Sequence, residues 1–268
     1  MVTSRDAAVV ESLAREVRRR TGVTINPSKA PMLLSRVARR VRALDLEGPE
    51  AYLRVLEDLE ETDAELEEFI DVVTTHKTSF FRTPRVWRRL WQQFGRDTEA
   101  RSFDAWSCAC SIGHEPFGLA AVGMAAAAAR PGLRWSVLAT DVSPKSVERA
   151  SKGLFDEVHD PGMAAVGFSP LDHFERTSDG HMRASPALRS RMKFQTHNLM
   201  KRRSGSFDVA LLRNVLIYFE EDDKRTIVEN VLSTIRPGGL LVIGESESLL
   251  ERDARLEYLE PCIFRVDK

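Results

Sequence analysis

A chain of 268 residues carrying 39 basic against 40 acidic side chains has no bulk field that would demand nucleic acid or a membrane surface, so electrostatic recognition must be local. The length suits one large α/β domain and a smaller helical one. Three cysteines, Cys108, Cys110 and Cys262, form neither an even disulfide framework nor zinc-ligand pairs, and no apolar run reaches the roughly 18 residues of a membrane span. The expectation is a soluble cytoplasmic chain with buried thiols, no disulfide, no metal site and no membrane insertion. Charges in MVTSRDAAVVESLAREVRRR stand where a signal peptide needs an apolar core.

From Ser4 to about Arg82 apolar residues recur at three- and four-residue spacings, in VVESLAREV, MLLSRVARRV, AYLRVLEDLE and ELEEFIDVV. This pattern predicts four or five short helices, broken at Thr21 to Pro27 and at Leu46 to Pro49. One of them carries Arg36, Arg39, Arg40 and Arg42, the first three along one flank. A run of charge on a helix is ordinarily a solvated face. TPRVWRRLWQQF then reads as an amphipathic helix with Pro84 in its first turn.

After Arg101 short apolar runs alternate with helical ones: FDAWSCA, EPFGLAAVGMAAAAA, WSVLATD, SPKSVERAS, FDVALLR, DDKRTIVENVLSTI and GLLVIGES. Such alternation predicts a parallel sheet with crossover helices. Residues 154–193 lack the rhythm, and HFERTSDGHMRAS reads as two short strands about an Asp179-Gly180 turn, an antiparallel insertion. LEYLEPCIFRV reads as one last edge strand. The predicted division is a helical domain over 1–83 and an α/β domain over 84–268.

In an open parallel sheet ligands bind beyond the C-terminal ends of the strands. The first strand runs through CSIGHEP into a helix, so Gly113 sits where the backbone must turn tightly and approach a ligand, although many such turns hold a glycine for conformational reasons alone. Asp141 ends the second strand 28 residues later, where a carboxylate can accept hydrogen bonds from ribose hydroxyls. The alternative for Asp141 is a helix cap, with Ser143 competing. The loop lacks the three-glycine fingerprint of dinucleotide binders, which favours a nucleoside cofactor without a pyrophosphate. S-adenosylmethionine fits, and Glu115 is placed to meet its amino group or sulfonium.

TTHKTSFFRTP, CSIGHEP, ATDVSPKSVERASKGLF, HNL, FDVALLRNVLIYF and RPGGLLVIGESES stand in the order and spacing of the chemotaxis receptor methyltransferases. Over nearly its whole length the chain resembles that family, the CheR family; RNVLIYF and TSFFR are the most specific segments. The resemblance implies a Rossmann-like S-adenosylmethionine-dependent methyltransferase domain, behind a helical N-terminal domain, that esterifies glutamate side chains of a chemoreceptor or similar helical signalling protein. It implies that Thr78 and Arg82 reach the cofactor from the linker, that Glu115 meets its amino end and Asp141 its ribose, and that Asn198 and Leu199 flank its adenine. His76, Gly113, Arg213 and Asn214 complete the implied cofactor set. Arg213, Tyr218 and Arg82 form the implied catalytic set.

The sequence departs from the family at His76, usually asparagine, at His114, usually glutamate or glutamine, and at Phe117, usually tyrosine. Altered cofactor affinity is expected from the imidazoles. Methyl transfer to a carboxylate that is already ionised needs no general base, so the lack of a nucleophile-base constellation is expected. Arg213 and Tyr218 can orient such a carboxylate; the alternative is that Arg213 pairs with a structural acid such as Glu245 and Tyr218 is core. Arg36, Arg39, Arg40 and Arg42 would steer an acidic receptor helix. Some members of the resembled family dock a receptor's C-terminal tail peptide on this insertion through a glycine-containing extended loop, so the short turn at Ser178, Asp179 and Gly180 implies by that resemblance an enzyme that needs no receptor tail peptide, the alternative being an insertion that only covers a sheet edge. The working expectation for the oligomeric state is a monomer. A non-catalytic S-adenosylmethionine-binding regulator is the rival reading. A nucleic-acid methyltransferase would need an Asn/Asp-Pro-Pro-Tyr or cysteine motif and a basic chain, and neither is present.

Overall fold

Val9, Leu13 and Val17 recur every fourth residue along α1 (Ser4–Thr21), and all three are buried. They pack with Leu33 and Val37 of α2 (Ala30–Ala43), Tyr52 and Leu56 of α3 (Pro49–Asp58), and Leu66, Phe69, Ile70 and Val73 of α4 (Ala64–Val73). The result is the helical bundle that the periodicity predicts. A polar pin crosses its interior: Glu65 accepts from Tyr52 Oη at 2.6 Å and from Arg40 Nε at 3.0 Å. The structure, a computed structural model, describes residues 4–60, 63–96, 102–158, 169–249 and 253–267.

Pro84 opens α5 (Pro84–Trp91), which ends in a π-helical turn at Gln92–Arg96. Gly118 of α6 (His114–Ala129) lets Trp87 lie against that helix, since a Cβ there would meet the indole at 2.8 Å.

The main sheet has seven strands in the order β6-β2-β1-β7-β8-β10-β9. They are β1 (Ser102–Ser107), β2 (Arg134–Asp141), β6 (Met192–Thr196), β7 (Phe207–Leu212), β8 (Ile235–Ile243), β9 (Leu256–Glu260) and β10 (Ile263–Val266). The pairs from β6 to β8 are parallel, with Ala105 opposite Val137 on one side and Val209 on the other. Successive residues of β1 face opposite layers. Phe103 and Ala105 join the core under α5 and α6, while Trp106 joins the one under α9 (Glu221–Leu232). The chain runs from β1 out to β2 and β6 and returns to β7 on the other flank of β1, so the strand order reverses between β1 and β7.

The predicted final strand is two strands. Pro261 cannot donate to a ladder and Cys262 adopts φ 72°, so the run folds into a hairpin that inserts β10 antiparallel between β8 and β9. The insertion holds a third strand, β3 (Leu154–Phe155), besides β4 (Phe174–Arg176) and β5 (Met182–Ala184). Two residues are too few to show a period. Residues 159–168 of that predicted insertion lie outside the described residues. Crossovers α7 (Pro144–Lys152) and α8 (Pro186–Arg189) complete the sheet's helical cover. No described helix is long and apolar enough to cross a membrane.

Candidate active site

Where the strand order reverses, the tips of β1, β2 and β7 open into a pocket enclosing about 900 Å³ of space, part of it open to solvent. Its walls include Thr78, Arg82, Glu115, Asp141, Asn198, Leu199, Arg213, Asn214 and Tyr218, so most of the residues expected from sequence converge. Thr21 and Val23 reach it from the end of α1, residues that no local signal in the sequence could have assigned.

Asp141 ends β2 and is buried. Its Oδ2 accepts from Ser111 N–H at 2.8 Å and its Oδ1 from Ser143 N–H at 3.0 Å. The cap of α7 is Ser143, whose Oγ accepts from Ser146 N–H at 3.1 Å, so Asp141 is not the cap and stands in the pocket wall. Burial pushes the Asp141 carboxyl above its ordinary value, with the two N–H groups pulling the other way.

Glu115, in the first turn of α6, accepts from Ser107 Oγ at 2.8 Å and pairs with Arg213 Nη1 at 3.1 Å. Burial raises this carboxyl too, opposed first by the Arg213 charge. Arg213 thus pairs with another pocket acid and not with Glu245, which pairs with Arg85 at 3.2 Å. The remaining Arg213 bonds fasten the linker: Nη2 donates to Arg82 O at 2.8 Å and to Thr83 Oγ1 at 3.0 Å. That linker is bent sharply, with Phe81 at φ 51° and Thr83 at φ 63°. Bulky side chains seldom adopt this conformation, and here it presents the exposed Arg82 side chain to the pocket. Arg213 Nε is buried without a partner among the described residues.

Asn214 takes φ 56° at the turn after β7, held by Glu247. The Glu247 carboxylate accepts from the N–H groups of Asn214 and Leu216, each at 2.8 Å, and of Gly244 at 2.6 Å. Sequence reasoning missed Glu247, although it stands in the quoted GESES segment. It also missed Ser111, Val142 and His197, which lie at or just past the tips of β1, β2 and β6; adjacency to strand ends was the available signal.

Other expected residues lie elsewhere. Gly113 makes the tight turn, at φ 105°, but the backbone it approaches is α7, where a Cβ would meet Ala150 at 3.1 Å. The His76 ring is outside the pocket wall. Its Nδ1 lies 2.9 Å from Ser146 Oγ and its Nε2 2.9 Å from Asp71 O, between bundle and sheet. His114 packs against Phe80, centroids 4.7 Å apart, and burial pushes its pKa down. Phe117 is fully buried among Phe155, Phe174 and Phe194. These family departures at His114 and Phe117 are packing changes, because α6 turns both rings toward the core.

Of the arginines on α2, Arg40 is committed to Glu65 and Glu68 inside the bundle, and Arg36 Nη1 donates to Val73 O at 2.6 Å and Thr74 O at 3.0 Å. Arg39 and Arg42 are exposed. Lys29 Nζ stands 5.6 Å from the centre of the Tyr218 ring, so the pocket mouth carries a cation there as well.

Two family descriptions match the chain: "CheR methyltransferase, all-alpha domain" over residues 9–74 and "CheR methyltransferase, SAM binding domain" over residues 76–262. The chain is 30% identical to the chemotaxis protein methyltransferase of Salmonella typhimurium over 239 residues, covering 87% of this chain and 81% of that one. It is 27% identical to the Escherichia coli protein of the same name over 262 residues, 96% of this chain and 90% of the relative. It is 30% identical to chemotaxis protein methyltransferase 1 of Vibrio cholerae, with 85% and 84% covered. The chain therefore belongs to the CheR methyltransferase family, and its cofactor is S-adenosylmethionine.

Proposed function

We propose that this CheR-family enzyme transfers a methyl group from S-adenosylmethionine to glutamate side chains on the cytoplasmic helical part of a chemoreceptor or a related signalling protein. The observation that carries the reading is the meeting, in one pocket at the sheet's switch point, of Glu115, Asp141 and Arg213 with Arg82 and Tyr218.

The residues present fit the cofactor. A buried carboxylate at the tip of β2 and a nearly buried one in the first turn of α6 suit hydroxyl and ammonium donors, and the partnerless Arg213 Nε is a donor left for a bound group. Asp141 would accept from ribose hydroxyls, Glu115 would face the amino end, and Leu199 and Asn198 would border the adenine. When bound, the cofactor supplies an electrophilic methyl on a sulfonium. Everything else is positioning. A glutamate acceptor with an ordinary pKa near 4.3 is already ionised at neutral pH, so no side chain must remove a proton. Arg82 and the Tyr218 hydroxyl, neither with a side-chain hydrogen bond among the described residues, are the groups placed to grip that carboxylate. Arg213 spends three of its five donors on Glu115, Arg82 O and Thr83 Oγ1, so it acts first by fixing the wall. Leu199, Val23 and Phe219 line the same space with apolar surface and limit water.

For the substrate, Lys29 and Arg36, with Arg39 beside it, bring positive charge to the approach to Tyr218 from the bundle side, which suits an acidic helix. The division into a helical domain over 1–83 and a methyltransferase domain over 84–268 agrees with the packing of α5 against α6. The β4–β5 turn closes within five residues, from Thr177 N–H to His181 O at 2.8 Å, which supports action without a receptor tail peptide. A cytoplasmic monomer remains part of the proposal. Incubation with labelled S-adenosylmethionine and receptor cytoplasmic fragments, then mild alkali, should release labelled methanol. Label stable to alkali would exclude a carboxyl ester.

A further inference from the structure

Asp141 is held at both oxygens by backbone N–H groups, from Ser111 and from Ser143. Each of these two serines turns its hydroxyl toward the helical bundle or the linker that leaves it. Ser143 Oγ donates to Asp71 Oδ1, on α4, at 3.1 Å; Ser111 Oγ donates to the carbonyl of His76 at 3.1 Å. His76 is itself moored to α4 and α7. Its Nε2 lies 2.9 Å from Asp71 O, 3.1 Å from Thr74 Oγ1 and 3.3 Å from Asp71 Oδ1, and its Nδ1 lies 2.9 Å from Ser146 Oγ. Arg149 of α7 approaches Asp71 Oδ2 at 3.5 Å. The two N–H groups that hold the strand-tip carboxylate thus belong to serines whose hydroxyls are bonded to Asp71 and to the His76 carbonyl, both outside the pocket wall.

We propose that Asp71, on the helical bundle, is a positioning residue for the cofactor-binding carboxylate Asp141, acting through Ser143 and, with the His76 linker, through Ser111. The proposal rests on the cofactor reading of the pocket. Its physical basis is that a carboxylate accepts ribose hydroxyls well only if its lone pairs point at them, and the two N–H groups that set this direction are steered by hydroxyls the bundle holds. The bundle, besides meeting substrate, would then set cofactor affinity.

The test is calorimetric titration of the full chain with S-adenosylhomocysteine, alongside steady-state kinetics on receptor fragments and thermal unfolding. Asp71→Ala should weaken binding about tenfold, as expected when a hydrogen-bonded constraint worth about 1.4 kcal/mol is lost. Asp71→Asn keeps an oxygen for Ser143 and should stay within about threefold of the unsubstituted chain. Ser111→Ala leaves its backbone N–H on Asp141 and removes only the hydroxyl that grips His76. It should also lose several-fold in affinity. If Asp71→Ala does not fold, Ser143→Ala, at a position outside the pocket wall, keeps the N–H on Asp141 but removes the hydroxyl bonded to Asp71, and decides the matter by the same several-fold loss. In both weakened variants KM for the cofactor should rise while KM for receptor fragments changes less than about twofold. A lower unfolding midpoint with unchanged affinity of the folded protein would make Asp71 merely structural and overturn the proposal. Uptake of no S-adenosylhomocysteine by the unsubstituted chain would overturn the cofactor reading itself, and the proposal with it.

Discussion

Glu115 Oε2 lies 3.1 Å from Arg213 Nη1, with side chains 13% and 3% exposed, so the methyltransferase pocket contains a nearly dry ion pair between the first turn of one helix and the end of a central strand. Removing one member leaves the other charged and uncompensated, and the same arginine fastens the linker through Arg82 O and Thr83 Oγ1. Arg213→Ala is therefore expected to abolish turnover, to lower S-adenosylhomocysteine affinity more than tenfold, and to destabilise the fold by about 3 kcal/mol. Urea unfolding and calorimetry together check this. Cofactor affinity and stability both unchanged would reduce Arg213 to a substrate contact alone.

The acid dependence follows from the raised Glu115 and Asp141 carboxyls, burial being the largest cause for each. A folded-state pKa above the unfolded value contributes stability that is fully present below the unfolded value and is lost as pH rises through the folded one. On the proposed cofactor roles of Glu115 and Asp141, ligand binding needs the charged forms and runs the other way. The rise in unfolding temperature caused by S-adenosylhomocysteine should therefore shrink as pH falls, starting above the ordinary carboxylate range near 4. A ligand-induced rise that stays constant down to about pH 4 would contradict this.

At Gly113 the expected damage is to folding. A side chain there meets both φ 105° and Ala150 at 3.1 Å, so Gly113→Ala should cost roughly 1–3 kcal/mol, seen as a lower urea midpoint with an unchanged slope.

Arginines on α2 should separate into two classes. Arg40→Ala breaks the bond network to Glu65 and Tyr52 and should cost about 2 kcal/mol of stability. Exposed Arg39 and Arg42 should each change stability by less than about 0.5 kcal/mol on truncation, yet raise KM for receptor fragments and flatten its salt dependence. Equal kinetic effects of all three in folded protein would argue against a steering role.

Thiol labelling offers a check on the packing. Cys108 and Cys110 are fully buried and burial pushes both thiols well up, whereas Cys262 is half-exposed at the β9–β10 turn. Maleimide should modify Cys262 first in native protein, and the other two only after unfolding.

Much of this was legible in the chain because the signals are local. Helical periodicity, Pro84 at a helix start, alternation of strand and helix, and an acid at the end of β2 each depend on neighbours a few residues apart. Motif order then located Arg82, Glu115, Asp141, Arg213 and Tyr218, and the pocket contains them all. Less legible were side chains whose partners are distant in sequence. That Arg40 is consumed by Glu65, that His76 joins Asp71 to Ser146, that Gly113 faces Ala150 and that His114 and Phe117 point into an aromatic core all follow from contacts across elements.

The sequence by itself determined the order of elements, the strand tips where a ligand must sit and the chemical types gathered there. Only the tertiary structure decided which charges are free to act and which are already paired. The reason is that periodicity and turn chemistry are set by the backbone over a few residues. The availability of a guanidinium or carboxylate is set by whatever the fold brings within 3 Å of it, and that distance has no counterpart in sequence spacing.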